Sequence, residues 1–201
     1  MSIFKDKVLL ITGGTGSFGN AVLKRFLDSD VKEIRIFSRD EKKQDEMRHR
    51  LNNSKLNFII GDVRDFESID SAMAGVDYVF SAAALKQVPS CEFYPIQAVR
   101  TNILGSENVL EAAVRNSVKR VVVLSTDKAA YPINTMGMTK ALMEKLAISK
   151  ARDPRAKEAG TVICPTRYGR FGAVCIRTRR ARRLVRSEST RSDYRSFGTG
   201  Y

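Results

Sequence analysis

The stretch Val8-Leu9-Leu10-Ile11-Thr12-Gly13-Gly14-Thr15-Gly16-Ser17-Phe18-Gly19 decides the fold. Its first five residues carry no charge and no polar alternation, as expected of a strand covered on both faces. The glycines that follow force a turn, and Phe18, Val22, Phe26 and Leu27 then recur at helical spacing. Outward from this unit, strand-like runs lie at 33–38, 56–60, 78–80, 121–124 and 161–164. Helical stretches lie between them at 40–52 and at about 66–74, 95–116 and 135–151. Regular strand-helix alternation without an internal repeat predicts an α/β fold, a doubly wound parallel sheet with helices on both faces.

Composition bounds the rest. The 201 residues are 43% apolar, enough for one buried core, and no run of 18 apolar residues offers a membrane span. The N-terminus has no apolar h-region, which argues against a secretory signal. Cys91, Cys164 and Cys175 lack metal-ligand spacing, so reduced thiols and a cytoplasmic location are expected, with no metal. The net charge of +13 is uneven. Residues 170–201 hold nine Arg, no Lys and two acids, so +7 of it falls in the last 32 residues.

In a doubly wound sheet, ligands sit beyond the carboxyl ends of the strands. Each unusual cluster here falls at such an end: Gly13–Gly19, Ser38-Arg39-Asp40, Gly61-Asp62-Val63, Ser81-Ala82-Ala83-Ala84-Leu85-Lys86 and Ser125-Thr126-Asp127-Lys128. The glycine turn fits a dinucleotide site. Gly13 makes the tight exit, Gly16 lets backbone approach a diphosphate beside Thr15, Ser17 and Phe18, and Gly19 allows close helix packing. A carboxylate ending the second strand would hold the ribose hydroxyls of NAD. Ser38-Arg39 stands there instead, so the expected cofactor is NADP rather than NAD, with Arg39 on the 2′-phosphate. Asp62 is a candidate acceptor for the adenine amino group, with Val63 on the ring face. The duller readings are a surface Arg39 paired with Glu41 and a plain turn acid at Asp62.

Five stretches carry a family resemblance: residues 12–19; Phe37-Ser38-Arg39-Asp40-Glu41-Lys42-Lys43-Gln44; Ala83-Ala84-Leu85-Lys86-Gln87-Val88-Pro89; residues 101–109; and residues 125–134. Over residues 1–169 the chain resembles the extended short-chain dehydrogenase/reductases, which have an NAD(P)-binding Rossmann fold. Within them it is similar to the CapD-like polysaccharide-biosynthesis branch, the inverting UDP-N-acetylglucosamine 4,6-dehydratases and UDP-glucose 4-epimerases. The resemblance implies a UDP-sugar substrate in capsule or lipopolysaccharide synthesis, a 4-keto intermediate, and a homo-oligomer built on the helices at 95–116 and 135–151. Ala82, Ala83 and Ala84 would then line the cofactor site, and Lys86 and Tyr168 would contact the substrate.

The superfamily's Tyr-x-x-x-Lys pair reads Met136-Gly137-Met138-Thr139-Lys140 here. Lys140 would hold the nicotinamide ribose, but a thioether cannot take a proton, so the tyrosine's task moves elsewhere, to Lys128 or Lys140. By resemblance, Thr126 would bind the sugar 4-hydroxyl, Asp127 would protonate the leaving hydroxyl at carbon 6, and Lys128 would be the base at carbon 5. That pairing needs a protonated acid and a neutral lysine, each produced by partial burial. An epimerase needs no such pair, which tilts the sequence reading toward dehydration, with 4-epimerisation as the alternative.

After Gly169 the resemblance stops and the Arg-rich segment begins. Its composition is that of a gene read out of frame, which predicts a disordered or frameshifted tail over 170–201 with the substrate domain largely missing. Two other readings stand beside it. One is a basic arm for nucleic acid using Tyr194, Phe197 and Tyr201, disfavoured by the scarcity of interleaved aromatics. The other is a nonenzymatic fragment that binds NADP. His49 is expected in solvent on a charged helix.

Overall fold

The computed structural model describes residues 2–169 and 172–176. Strand β1 (Val8–Thr12) is buried at all five positions, and its side chains alternate between two cores. Val8 and Leu10 pack with Ile69, Met73, Leu110, Val121 and Met143. Leu9 and Ile11 pack with Val22, Leu23, Ile34, Ile36 and Met47. The uninterrupted apolar run thus follows from helices on both faces.

The chain continues through α1 (Ser17–Leu27), β2 (Glu33–Ser38), α2 (Glu41–Leu51), β3 (Leu56–Ile60), α3 (Phe66–Met73) and β4 (Tyr78–Ser81). Next come α4 (Val88–Phe93), α5 (Pro95–Ala98), a π-helical turn (Val99–Leu104), α6 (Gly105–Arg115) and β5 (Arg120–Thr126). A 3-10 turn (Asp127–Ala129), α7 (Thr135–Lys150), α8 (Pro154–Glu158), β6 (Val162–Gly169) and β7 (Gly172–Cys175) complete it. The strand order is β3-β2-β1-β4-β5-β6-β7. The first six strands are parallel and β7 is antiparallel to β6. The expected doubly wound α/β sheet is therefore present. Its winding reverses between β1 and β4, which opens a crevice at their carboxyl ends.

Three features depart from the sequence expectation. The helix expected over 95–116 is interrupted by the π turn, which buries Thr101 and Asn102. Immediately after it, a Cβ on Gly105 would come within 2.8 Å of Val63 Cγ2, so the helix passes close to the β3 loop. Two short helices, α4 and α8, were not expected; each has a proline in its first turn, Pro89 second in α4 and Pro154 first in α8, where its fixed φ suits the helix. Strand β7 pairs antiparallel with the end of β6. Cys91 is a buried free thiol, but Cys164 is disulfide-bonded, which corrects the expectation of three reduced thiols. Sequence spacing carries no information on which thiols a fold brings within bonding range. The Arg-rich segment 177–201, with Tyr194, Phe197 and Tyr201, lies outside the described residues, as do Arg170 and Phe171. No helix among the described residues is long and apolar enough to cross a membrane.

Helix α1 reaches the sheet because Gly19 has no side chain. A Cβ there would sit 2.5 Å from Gly14 Cα and 2.6 Å from Gly14 O, both backbone atoms that cannot swing aside. Gly19→Ala is expected to destabilise the chain by about 1–3 kcal/mol, the usual penalty of overpacking. A urea unfolding midpoint unchanged from the native chain would contradict this packing.

Candidate active site

The ends of β1, β2, β3, β4 and β5 surround a cleft of about 1000 Å³. At its floor, Thr12 is fully buried and its hydroxyl oxygen accepts from the backbone N–H groups of Ala82 (3.2 Å) and Ala83 (3.3 Å). The loops after β1 and β4 are thereby tied together. Gly13 has φ 66°, and a Cβ on it would lie 2.8 Å from Ala83 N. Only glycine fits that conformation and that approach. Gly16 then caps α1 without a side-chain hydrogen bond, and the first turn of α1 has no acid. The free N–H groups of that turn border the cleft and suit an anion such as a diphosphate.

The end of the cleft formed by β2 and β3 is charged. Arg39 Nη1 lies 3.6 Å from Asp62 Oδ2, and Arg64 grips the same carboxylate at 2.9 and 2.6 Å. Partial burial raises the Asp62 carboxyl, but the Arg64 hydrogen bonds, with the charges of Arg64 and Arg39, outweigh it and hold the group below the usual range. Asp40 lines the cleft, yet its carboxylate is already engaged. It caps α2 through Lys43 N (3.0 Å) and pairs with Lys43 Nζ (2.9 Å).

At the other end, Thr126 and Lys128 border the cleft with Lys86, Met136, Lys140 and Tyr168. The Thr126 hydroxyl donates to Asp127 Oδ1 at 2.8 Å. That bond, opposed by slight desolvation and aided by the charge and backbone N–H of Lys128, holds the Asp127 carboxyl below its ordinary value. Asp127 and Lys128 form an ion pair of 3.7 Å with side chains 59% and 56% exposed. Lys140 is the opposite case. It is buried, and its Nζ donates to the Leu124 carbonyl at 2.8 Å. Desolvation pushes its pKa down from 10.5 to about 8, against the field of Glu144.

A family model described as "polysaccharide biosynthesis protein" matches residues 9–174. The chain belongs to that polysaccharide biosynthesis family. Curated relatives include proteins named UDP-glucose 4-epimerase from Rickettsia prowazekii, 70% identical over 171 residues, and from Rickettsia felis, 68% identical over 171 residues. Each alignment covers 83% of this chain and 50% of the relative, so the chain spans about half the length of the curated relatives it matches. Among solved structures, Pen from Bacillus thuringiensis superposes with a TM-score of 0.80 at 38% identity, covering 83% of this chain and 51% of Pen. The UDP-Glc/GlcNAc 4-epimerase from Campylobacter jejuni shares the fold, with a TM-score of 0.69 at 20% identity over 81% of this chain and 53% of that one.

In this polysaccharide biosynthesis chain, the fold brings nearly all of the sequence-selected residues to one cleft. Gly13, Thr15, Gly16, Ser17, Phe18 and Gly19 line it from β1 and α1, and Ser38, Arg39, Asp40, Asp62 and Val63 from the ends of β2 and β3. Ala82, Ala83, Ala84 and Lys86 contribute from the loop after β4, and Tyr168 closes one side with its ring edge-to-face on Phe18 at 5.9 Å. Asp127 is the exception. It is absent from the lining, and the partial burial that a protonated Asp127 and a neutral Lys128 require is not supplied by the described residues. Arg39 pairs with Asp62 rather than Glu41, because α2 turns Glu41 away into its own first turn. His49 is exposed, as expected. No cluster of three or more metal-binding side chains occurs among the described residues.

Two buried networks were missed. Glu144 accepts from Ser125 Oγ (2.6 Å) and takes both forks of Arg167 (2.9 and 2.7 Å), bolting α7 to β5 and β6 one turn beyond Lys140. Asn102, from the π turn, accepts from Leu85 N (2.9 Å) and donates to Leu85 O (2.9 Å) and Thr139 Oγ1 (3.0 Å). The available signal for Glu144 was its position four residues after Lys140, on the same helix face.

Two outcomes follow. Between pH 8 and 10.5 the unfolded chain keeps the Lys140 proton and the folded chain loses it, so stability gained from this group rises with pH across that window and is flat below it. The unfolding free energy of the native chain, taken relative to Lys140→Met, is expected to rise by about 3 kcal/mol over the window. A parallel pH dependence in the two proteins would show Lys140 to be solvated. Arg167→Met leaves the Glu144 carboxylate buried without its guanidinium and is expected to cost about 3 kcal/mol in urea unfolding, with part regained in Arg167→Met/Glu144→Gln.

Proposed function

We propose that the chain is the dinucleotide-holding half of an enzyme that acts on UDP-sugars through reversible oxidation at sugar carbon 4, with 4-epimerisation as the net reaction. The observation that carries this is one cleft with the glycine turn and open first turn of α1 at one end and, at the other, a buried lysine held on a strand carbonyl with Thr126 on the same lining. The identity of about 70% to proteins named UDP-glucose 4-epimerase supports the choice of reaction. A bound nicotinamide dinucleotide would supply a reversible hydride acceptor. Arg39, with no acid ending β2, favours the phosphorylated form, NADP. The glycine turn and the first turn of α1 would hold its diphosphate, Asp62 and Val63 its adenine, and Lys140 its nicotinamide ribose.

The chain's own groups would divide the remaining work. Thr126, whose hydroxyl now donates to Asp127, would turn to the sugar 4-hydroxyl, and Lys86 and Tyr168 would contact the sugar nucleotide. The proton leaving that hydroxyl needs a base. Met136 is buried and has no basic atom, so the role falls to Lys128 or Lys140. Lys140 is favoured, because burial lowers its pKa to about 8 and so raises the share of neutral amine well above that of a solvated lysine. Epimerisation would be completed with the keto sugar turned over in the cleft, the dinucleotide supplying the hydride and the same lysine giving its proton back to the 4-oxygen. The location we propose is the cytoplasm, and the assembly a homo-oligomer.

A second reading, 4,6-dehydration of a substrate such as UDP-N-acetylglucosamine, is favoured by the Asp127–Lys128 pair at the mouth of the cleft. It requires Asp127 to gain a proton on closure of the site. Incubating the purified chain with NADP and either UDP-glucose or UDP-N-acetylglucosamine separates the readings by product mass and sugar stereochemistry. An epimer of equal mass supports the first, and loss of one water the second. Bound dinucleotide with unchanged sugar nucleotide leaves a nonenzymatic binding chain and overturns both. If an epimer forms, Lys140→Met is expected to lower turnover by about 100-fold or more, the usual loss on removing a general base.

A further inference from the structure

Gln44, on α2 behind the end of β2, is 1% exposed. Its Nε2 donates to Ser38 O (3.0 Å), Ser38 Oγ (3.0 Å) and Ile59 O (2.8 Å), spanning the carboxyl ends of β2 and β3. Its Oε1 is buried without a hydrogen-bond partner among the described residues. The amide cannot be reversed, because Oε1 would then face two carbonyl oxygens. The orphan oxygen is a cost that only the contacts of Nε2 offset, so glutamine stands here for what its nitrogen reaches: two strand-end carbonyls and the Ser38 hydroxyl.

The consequence falls on Ser38. Its oxygen accepts from Gln44 through one lone pair, so the hydroxyl proton cannot point back at the amide N–H and is turned away from α2, toward the cleft. That proton has no acceptor among the described residues, although Ser38 is 8% exposed and lines the cleft beside Arg39 and Lys43. A carboxylate at this point would accept from ribose hydroxyls; a hydroxyl whose proton is turned into the cleft, next to a guanidinium, offers an anion a hydrogen bond. We propose that Gln44 is a specificity-determining positioning residue: by holding the Ser38 oxygen it turns the Ser38 hydroxyl proton toward a phosphate on the ribose 2′-oxygen. The inference rests on the NADP reading above and adds to it the residue that sets the direction of the donor.

The test is calorimetric titration of the chain with adenosine 2′,5′-bisphosphate and with adenosine 5′-monophosphate, which differ only in the 2′-phosphate. The readout is the ratio of the two affinities, which a purely structural defect lowers for both ligands and leaves unchanged. The native chain is expected to prefer the bisphosphate. Gln44→Met and Ser38→Ala are each expected to reduce that preference by about tenfold, as for one hydrogen bond to a charged group, and the double variant no further. A native preference retained in Gln44→Met overturns the inference and leaves the cofactor reading standing. Equal native affinities overturn the cofactor reading and the inference together. Should Gln44→Met not fold, Ser38→Ala decides: an unchanged ratio there also overturns the inference.

Discussion

Backbone touches backbone where the loops after β1 and β4 meet, and the cleft depends on that contact. Thr12 accepts from two successive N–H groups of the β4 loop, and Gly13 turns into the left-handed region with no room for a side chain. A larger residue at 13 would push the loops apart at the point where the winding of the sheet reverses. The open first turn of α1 would then no longer face the ends of β4 and β5. The open first turn of α1 and the lysine-bearing helix are thus held on one cleft by a hydroxyl and a missing Cβ.

Two buried charges on α7 are treated in opposite ways. Glu144 is saturated by Ser125 and by both forks of Arg167, as a carboxylate out of water must be. Lys140, one turn earlier, has a carbonyl, a thioether contact and the field of Glu144, but no carboxylate in direct contact. Incomplete compensation lowers the pKa of the amine to about 8, a state that costs stability below that pH. The bolt between Glu144 and Arg167 fixes the helix, so the lysine keeps its place while unpaired. A fully paired charge and an incompletely paired one thus occupy neighbouring turns of one helix.

The acid at Asp127 shows the limit of reading chemistry from adjacency. Its neighbour Lys128 borders the cleft, but Asp127 is exposed and engaged by Thr126 and the Lys128 backbone, all of which favour the ionised form. Asp40 is similar: it reads as a cofactor contact at a strand end, yet it caps a helix. In both places a local hydrogen bond claimed the carboxylate first. Such bonds span one to three residues and form wherever the turn allows them.

The sequence alone determined the parallel sheet, the glycine turn and the set of loops that meet at one end. These follow from periods of two and of 3.6 residues and from turn chemistry, all readable within a dozen residues. Tertiary structure alone decided which side chains pair across the chain. Asn102 meets Thr139, Glu144 meets Arg167, and Gln44 reaches Ile59, because strand order and the π turn bring those positions together. It also decided that β7 continues the sheet and that Lys140 is dry while Asp127 is wet. Burial is a property of the assembled layers, and no local pattern records how deep a helix face will lie once the strands beneath it are stacked.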